Sequence, residues 1–179
     1  MIYARSGTDA LTHRDKVFPA GTNKMHWGTV FFGPRTSIEI EPGPQATMSE
    51  LQAQEIIKPH FHGVNMFQLF IAGSGTVGNR GQKLEPLMAQ FKDHHTAYGP
   101  VTAGDQGLTF VALRMYTGNS RPIYVHDKLD ARENIRPSKR RNLISGQVNF
   151  SIEAVLQAHQ DVVWKTVLEG DDDMSAKVV

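Results

Sequence analysis

The sequence predicts an all-β protein in which short strands pack as a sandwich or barrel. Between Ile56 and Tyr116, short apolar runs alternate with glycine-rich turns, a spacing typical of these folds rather than of a parallel α/β sheet. The 179 residues make about one domain, at the usual ~100–200 residues each, and can bury a sizeable core. With 40% hydrophobic and 21% charged residues, the composition is that of an ordinary globular protein.

The N-terminal residues 1–23 are polar and interrupted by proline and glycine, so we expect an irregular arm. Two short strands are predicted next, at 27–32 and 37–41. The second alternates isoleucine with glutamate, the period of a half-buried strand. A Pro-Gly-Pro run at 42–44 is expected to end it, because proline fixes φ and removes a backbone donor. Residues 48–54 are expected to form a loop or one helical turn.

The central region is predicted to contain four strands and three intervening turns. The strands are predicted at 56–62, 66–72, 87–91 and 108–116. The turns are predicted at 73–75, 78–81 and 104–107. Each of these turns contains glycine, which adopts the backbone angles of tight turns at little steric cost.

Residues 119–179 differ in character from the region before them. Residues 128–141 hold six basic and two acidic residues, which predict a solvated or partner-facing arm, with a phosphate-binding patch as the alternative. Apolar residues at helical spacing predict a short helix over 151–160, and alternation predicts a hairpin over 162–179. We expect this extension to be a dimerisation element or the start of a truncated second unit.

Composition and charge exclude several classes of function. The absence of cysteine excludes disulfide scaffolds, thiolate metal sites and cysteine nucleophiles, so a metal would need histidine, carboxylate, amide or water ligands. Nineteen basic against 18 acidic residues give no overall field to attract nucleic acid or an anionic membrane. No signal-peptide-like stretch and no run of ~18 apolar residues occurs, so a cytoplasmic protein is expected.

The strongest functional signal is the histidine pair in Lys58-Pro59-His60-Phe61-His62. On a strand, His60 and His62 point to the same face, whereas on a helix they would lie ~200° apart. Gln68 can lie beside them if the turn at 63–65 folds the next strand back antiparallel. Imidazole is a ligand that suits zinc, iron, nickel and copper. The pattern therefore favours a metal site.

These residues resemble the first motif of the cupin superfamily. In that motif a His-x-His pair is followed after three or four residues by Glu, and after six more by Gly. Here His60 and His62 are followed after five residues by Gln68 and after six more by Gly75. The sequence departs from the motif in two ways. The spacer between the histidine pair and residue 68 is one residue longer, and residue 68 is glutamine where the motif has glutamate.

The counterpart of the histidine in the second cupin motif is His95. Gly99 stands at a position where asparagine is common, and the usual Pro-x-Gly before the histidine is absent. The resemblance covers roughly residues 24–118. It implies a double-stranded β-helix, or jelly-roll barrel, over 24–118, preceded by the arm at 1–23 and followed by the helix and hairpin of the 119–179 extension.

The resemblance also implies one divalent transition metal inside the barrel, with iron, zinc, nickel and manganese left open. His60, His62 and His95 would hold it, and Gln68 would be a fourth ligand or a close neighbour. His94 is the alternative to His95, because adjacent strand residues point in opposite directions. Glutamine in place of glutamate removes a negative charge and disfavours hard cations such as Mn²⁺. A metal-free barrel that binds a ligand without an ion is the alternative.

Tyr98 and Arg114 are candidate contacts for a substrate anion at the barrel mouth, with packing or salt-bridge roles as the alternative. The remaining histidines are expected to be ordinary packed or solvent-bonded residues: His13, His26, His126 and His159. The sequence contains no P-loop, nucleophile elbow or dinucleotide fingerprint.

The function that the resemblance implies is a metal-dependent enzyme acting on a small organic substrate, with dioxygenase-type oxidation first and an isomerase, lyase or hydrolase next. The alternative is a non-catalytic cupin that binds a small molecule. Cupins commonly pair through an edge strand, and the apolar residues Ala176, Val178 and Val179 suit such pairing. A homodimer is therefore expected.

Overall fold

The computed structural model describes residues 6–33, 42–116, 121–125, 141–147, 165–169 and 175–178. These residues form a short helix and thirteen strands, as the all-β prediction requires. In chain order they are α1 (Gly7–Thr12), β1 (Asp15–Val17), β2 (His26–Phe32), β3 (Pro42–Leu51), β4 (Ile56–Ile57), β5 (His60–Phe61), β6 (Met66–Val77), β7 (Gln82–Leu84), β8 (Ala89–Lys92), β9 (Val101–Tyr116), β10 (Ile123–Tyr124), β11 (Asn142–Ile144), β12 (Lys165–Glu169) and β13 (Ser175–Val178). Within those ranges, no helix has the length and apolar character needed to cross a membrane.

Nine strands are hydrogen-bonded into one antiparallel sheet. Its order is β1-β2-β3-β9-β6-β8-β11, with β4 paired to β9 and β7 paired to β6. Two separate pairs, β5 with β10 and β12 with β13, are also antiparallel. The β12–β13 pair confirms the predicted C-terminal hairpin. The predicted strand at 37–41 and helix at 151–160 lie outside the described residues.

The two longest strands, β6 and β9, run through the glycines that were expected to form turns at 73–75 and 104–107. Those two turn predictions are wrong. The ladder between the strands shifts register near Gly73, a β-bulge, and both Gly73 and Gly107 have positive φ, +71° and +80°. A Cβ on Gly73 would lie 2.2 Å from the Gly107 carbonyl oxygen. These glycines therefore allow two backbones to pass closely inside the sheet. The third predicted turn, at 78–81, is confirmed.

Residues 42–51 form strand β3, so the prediction that 48–54 form a loop or one helical turn is wrong for 48–51. The Pro-Gly-Pro run lies within this strand, and the strand at 37–41 that it is predicted to end lies outside the described residues. β3 lies between β2 and β9, and pairing on both edges outweighs the local preference. A register shift against β9 between Pro42 and Gln45 accommodates the prolines at the strand end.

The predicted strand at 56–62 is divided into β4 and β5 at Pro59, which has no N–H for a ladder. β5 then leaves the main sheet and pairs with β10, where Tyr124 lies opposite His60. The division matters for function, because it turns the histidine pair away from the β9 ladder and toward the barrel interior.

The N-terminal segment contains a helix and a strand that the sequence did not indicate. The Ser6 hydroxyl caps α1 by accepting a hydrogen bond of 3.1 Å from the Asp9 N–H. β1 pairs with β2, extending the sheet that carries the cavity wall. The predicted strand at 27–32 is confirmed as β2.

One apolar cluster fills the space beside the cavity. Its largest fully buried members come from strands β6, β7 and β9: Met66, Phe70, Leu84 and Leu108. Because these side chains interdigitate around β6 and β9, they fix the two strands that position Gln68 and Arg114.

Candidate functional site

A cavity of about 200 Å³ opens inside the curved sheet. Five residues predicted to act in the site line it together: His60, His62, Gln68, Tyr98 and Arg114. Its other walls are largely apolar, with contributions from Met48, Phe70 and Phe110. A small organic molecule with a few polar groups is the type of ligand such a cavity takes.

His60 and Tyr98 are the centre of the site. The Nδ1–H of His60 donates to the Lys58 carbonyl oxygen at 2.8 Å, so Nε2 carries the lone pair. The Tyr98 hydroxyl donates to that Nε2 at 2.7 Å. The same hydroxyl oxygen lies 3.3 Å from Nε2 of His62. Both histidines therefore face a single phenolic oxygen.

Burial keeps both central groups neutral. Burial is the main cause that lowers the pKa of His60 to about 3, and the nearby Lys92 and Arg114 charges act in the same direction. Burial also raises the pKa of Tyr98 above its usual value of 10.0. At neutral pH the site thus holds an unprotonated imidazole beside a protonated phenol.

Two basic side chains are buried around this pair. Lys92 is 2% exposed, donates a hydrogen bond from Nζ to Oε1 of Gln68, and lies with Nζ 3.4 Å from the centre of the Tyr98 ring. Arg114 donates from Nη1 to Oε1 of Gln45 at 2.8 Å. Burial lowers the pKa of both, and the charge of Arg114 lowers that of Lys92 further. The arginine keeps its charge in the interior, whereas burial disfavours the charged form of the lysine.

His95, the predicted third metal ligand, is not among the residues that line the cavity. It adopts a positive φ of +59°, its N–H donates to the His62 carbonyl oxygen at 2.7 Å, and its ring packs 5.7 Å from that of Phe61. His94, the alternative ligand, lies with Nδ1 2.9 Å from the Asn65 side-chain oxygen. The position beside the histidine pair is taken by Tyr98.

His26, expected to be an ordinary histidine, lines the cavity and belongs to a buried pair. Its Nδ1 lies 2.7 Å from Oε1 of Glu55, which is fully buried, and Oε2 of Glu55 accepts a hydrogen bond from the Gln52 N–H at 2.9 Å. The carboxylate fixes the orientation of the ring. Sequence spacing gave no indication of this pair, because 28 residues separate its members.

Two segments that are distant in sequence contribute to the cavity lining. The N-terminal segment contributes Pro19 and Thr22, and the segment 121–125 contributes Arg121 and Tyr124. Tyr124 lies directly over Gly21, where an added Cβ would be 1.8 Å from a ring carbon. The absence of a side chain at residue 21 is therefore what lets Tyr124 close against the N-terminal segment.

The donor atoms do not fit the three-histidine metal centre that the resemblance implies. Of the three imidazoles that line the cavity, that of His26 is paired with Glu55, which leaves those of His60 and His62. The Gln68 oxygen already accepts from Lys92. Across the described ranges, no group of three His, Asp or Glu side chains is placed to hold an ion. The positive charge of Arg114, which lines the same cavity, adds to the mismatch, because it opposes a dication.

No protein-family model and no curated protein matches the sequence. Solved structures do match. The polyketide cyclase RemF from Streptomyces resistomycificus aligns over 68% of this chain and 87% of its own, with 16% identity and a TM-score of 0.53. A putative acetylacetone dioxygenase from Methylibium petroleiphilum PM1 aligns over 74% and 85%, with 15% identity and a TM-score of 0.49.

A variant of oxalate decarboxylase from Bacillus subtilis aligns over 60% of this chain with 11% identity and a TM-score of 0.43. The chain spans only 29% of the length of that enzyme. RemF is a cupin-fold protein, and at 16% identity the likeness establishes the fold alone. Together with the antiparallel sheet around an inward-facing His-x-His pair, this likeness shows that the chain is a cupin-fold protein.

Proposed function

We propose that the protein is a cupin-fold enzyme that binds a small organic anion with an enolisable carbonyl group and catalyses proton transfer on it. The observation that carries the proposal is the position of the Tyr98 hydroxyl between two imidazole nitrogens, 2.7 Å from that of His60 and 3.3 Å from that of His62. The Tyr98 hydroxyl and the His60 Nε2 place a proton donor beside a proton acceptor in the cavity, which is the geometry that general acid–base catalysis requires.

The pair matches a substrate that carries both a hydrogen-bond acceptor and an acidic proton. A carbonyl oxygen can accept the Tyr98 O–H, while Nε2 of His60 accepts the proton that leaves the neighbouring carbon. The resulting enol returns its proton by the same two groups, so tautomerisation needs no external acid or base. Hydrogen bonding to the oxygen where charge develops stabilises the transition state.

The charge of the cavity favours an anionic substrate. The Arg114 Nε–H and the buried Thr29 hydroxyl, which both belong to cavity-lining residues, have no hydrogen-bond partner among the residues described. No carboxylate of the described ranges lines the cavity, whereas Arg114 and Arg121 do. A carboxylate or enolate oxygen would satisfy these donors, since unpaired buried polar groups are costly.

Keto acids supply a direct test, because they combine a carboxylate with an enolisable carbonyl. We would follow deuterium incorporation into pyruvate and 4-oxopentanoate in D₂O by proton NMR. Deuterium exchange faster than in buffer alone supports the proposal. This exchange should be lost in Tyr98→Phe and should be slower in Arg114→Met at low substrate concentration. Arg80→Met, on an exposed turn, is the matched control. Binding without exchange would indicate a non-catalytic cupin, and absence of both would reject the proposal.

A second candidate is the metal-dependent, dioxygenase-type oxidation expected from the sequence. The observation in its favour is that the Nε2 atoms of His60 and His62 converge on one point, with the His60 ring oriented by a backbone carbonyl as in many metal sites. Metal analysis of the purified protein tests it, with O₂ uptake measured on the iron-loaded protein. One ion per chain, lost in His60→Ala, would favour this candidate.

A further inference from the structure

We propose that Lys92 keeps this barrel free of a transition metal, because its Nζ occupies the Gln68 oxygen beside the histidine pair and lies over the Tyr98 ring. The inference concerns the cofactor state of the site and does not depend on the substrate.

Lys92 is held in place by its strand. All four residues of β8 are buried, because β6 pairs along one edge and β11 along the other. On such a strand, Lys92 projects to the same side as Gln90, and Gln90 lies opposite Gln68. The lysine side chain therefore crosses diagonally to Gln68 rather than turning to solvent.

The contacts of Lys92 do not include a carboxylate. In the ranges that the structure describes, its ammonium donates to Gln68 and lies over the Tyr98 ring, and no acidic group pairs with it. The adjacent Asp93 is engaged elsewhere, with both carboxylate oxygens bonded to Arg141 at 3.0 and 3.1 Å. The contacts of the Lys92 Nζ are therefore with the Gln68 oxygen and the Tyr98 ring, and both residues belong to the site.

The Tyr98 oxygen lies close to metal-ligand spacing from each of the two imidazole nitrogens. Atoms bound to one tetrahedral zinc at about 2.0–2.1 Å lie about 3.3 Å from each other. The Tyr98 oxygen lies 2.7 Å and 3.3 Å from the two imidazole nitrogens. Removing the lysine Nζ leaves the oxygen of Gln68, which lines the same cavity as these three atoms, without this donor. Lys92 is therefore the group that separates this site from a four-donor metal centre.

The test is Co²⁺ titration of the wild-type protein, Lys92→Met and Lys92→Leu, followed by visible absorption and calorimetry. Lys83→Met, an exposed lysine on β7, is the matched control. We expect no stoichiometric binding by wild type or control, and one ion per chain bound at least 100-fold more tightly by the Lys92 variants. Adding His62→Ala should abolish that gain.

Two results would overturn the proposal. One is stoichiometric Co²⁺ binding by the wild-type protein that is lost in His60→Ala. This result does not depend on whether a Lys92 variant folds. The other is a Lys92 variant that keeps the wild-type near-ultraviolet circular dichroism and gains no affinity. The titration contains no substrate, so a result against the role of Lys92 does not contradict the proton-transfer proposal. In the same way, absence of exchange in the keto-acid experiment does not contradict the role of Lys92.

Discussion

His60 and Tyr98 are joined through both their backbones and their side chains. Each backbone N–H donates to the other residue's carbonyl oxygen, at 3.0 and 2.9 Å, and the hydroxyl reaches the imidazole at 2.7 Å. The backbone pair fixes the distance between the two Cα atoms, so the side chains need little adjustment to meet. A site built this way holds its acid and base in place before a substrate arrives.

Tyr98→Phe removes a hydroxyl that bridges two buried imidazoles. We expect the free energy of unfolding to fall by about 1–3 kcal/mol, the cost of leaving a buried partner unsatisfied. Urea denaturation at pH 7 measures the change. An unchanged free energy of unfolding would show that the bridge does not form in solution.

Acid should destabilise the fold because His60 is buried and neutral. Its pKa is about 3 in the folded state and ~6.5 in the unfolded chain, so the unfolded chain binds more protons between those values. Stability is therefore lost as the pH falls below ~6.5, by ~2 kcal/mol between pH 7 and pH 5. Urea denaturation at both pH values should show this loss in wild type and in His13→Gln, an exposed control, and a smaller loss in His60→Gln.

Glu55→Ala should be among the most destabilising single changes. It leaves His26 and the Gln52 N–H without their acceptor in the interior, and breaking a buried pair costs about 3–5 kcal/mol. Arg14→Ala is the matched control, because its ion pair with Glu50 is partly exposed and worth about 0–1 kcal/mol. Equal effects on the free energy of unfolding would contradict the burial argument.

Comparing Gly73→Ala with Gly78→Ala separates the cost of a steric collision from the cost of a left-handed backbone. Gly73 and Gly78 have nearly the same φ, +71° and +74°, yet a Cβ at Gly78 meets nothing within 4 Å. Gly78→Ala should therefore cost only about 1 kcal/mol for the left-handed backbone. Gly73→Ala should cost at least twice as much, because its Cβ would collide with the Gly107 carbonyl. Thermal and urea unfolding of the two variants make the comparison.

The homodimer stays a prediction from the sequence. Light scattering should give about 40 kDa, twice the chain mass of 19.9 kDa. If the last strand forms the interface, deletion of 175–179 should return the mass to that of one chain. A monomeric full-length protein would reject the prediction.

The sequence allowed the histidine pair to be predicted because strand alternation is a local property. His60 and His62 need only a period of two and a proline before them, and the same logic places Gln68 across the turn. The site role of Tyr98 was predicted, but as a substrate contact at the mouth. The structure shows it between the imidazoles, where the motif comparison had placed His95.

The missed features depend on pairing between distant segments. Lys92 is buried because both edges of β8 are covered, and Glu55 meets His26 across a chain reversal. Neither fact is present in a local pattern. One signal was available for Lys92: it alternates with Gln90 around the apolar Phe91, which is the pattern of a strand with an inward polar face. The glycines of β6 and β9 were taken for turns because sequence alone does not show that two of them face each other.

Gly21 gives the cavity an indirect means of changing its selectivity. The residue touches no ligand position itself, yet the ring of Tyr124 rests where its side chain would be. A single methyl group there would displace that ring, which lines the cavity and packs 5.7 Å from the His60 ring. The fit between cavity and ligand thus depends on a position that no ligand touches, and a change at that position is a route by which selectivity can drift during evolution.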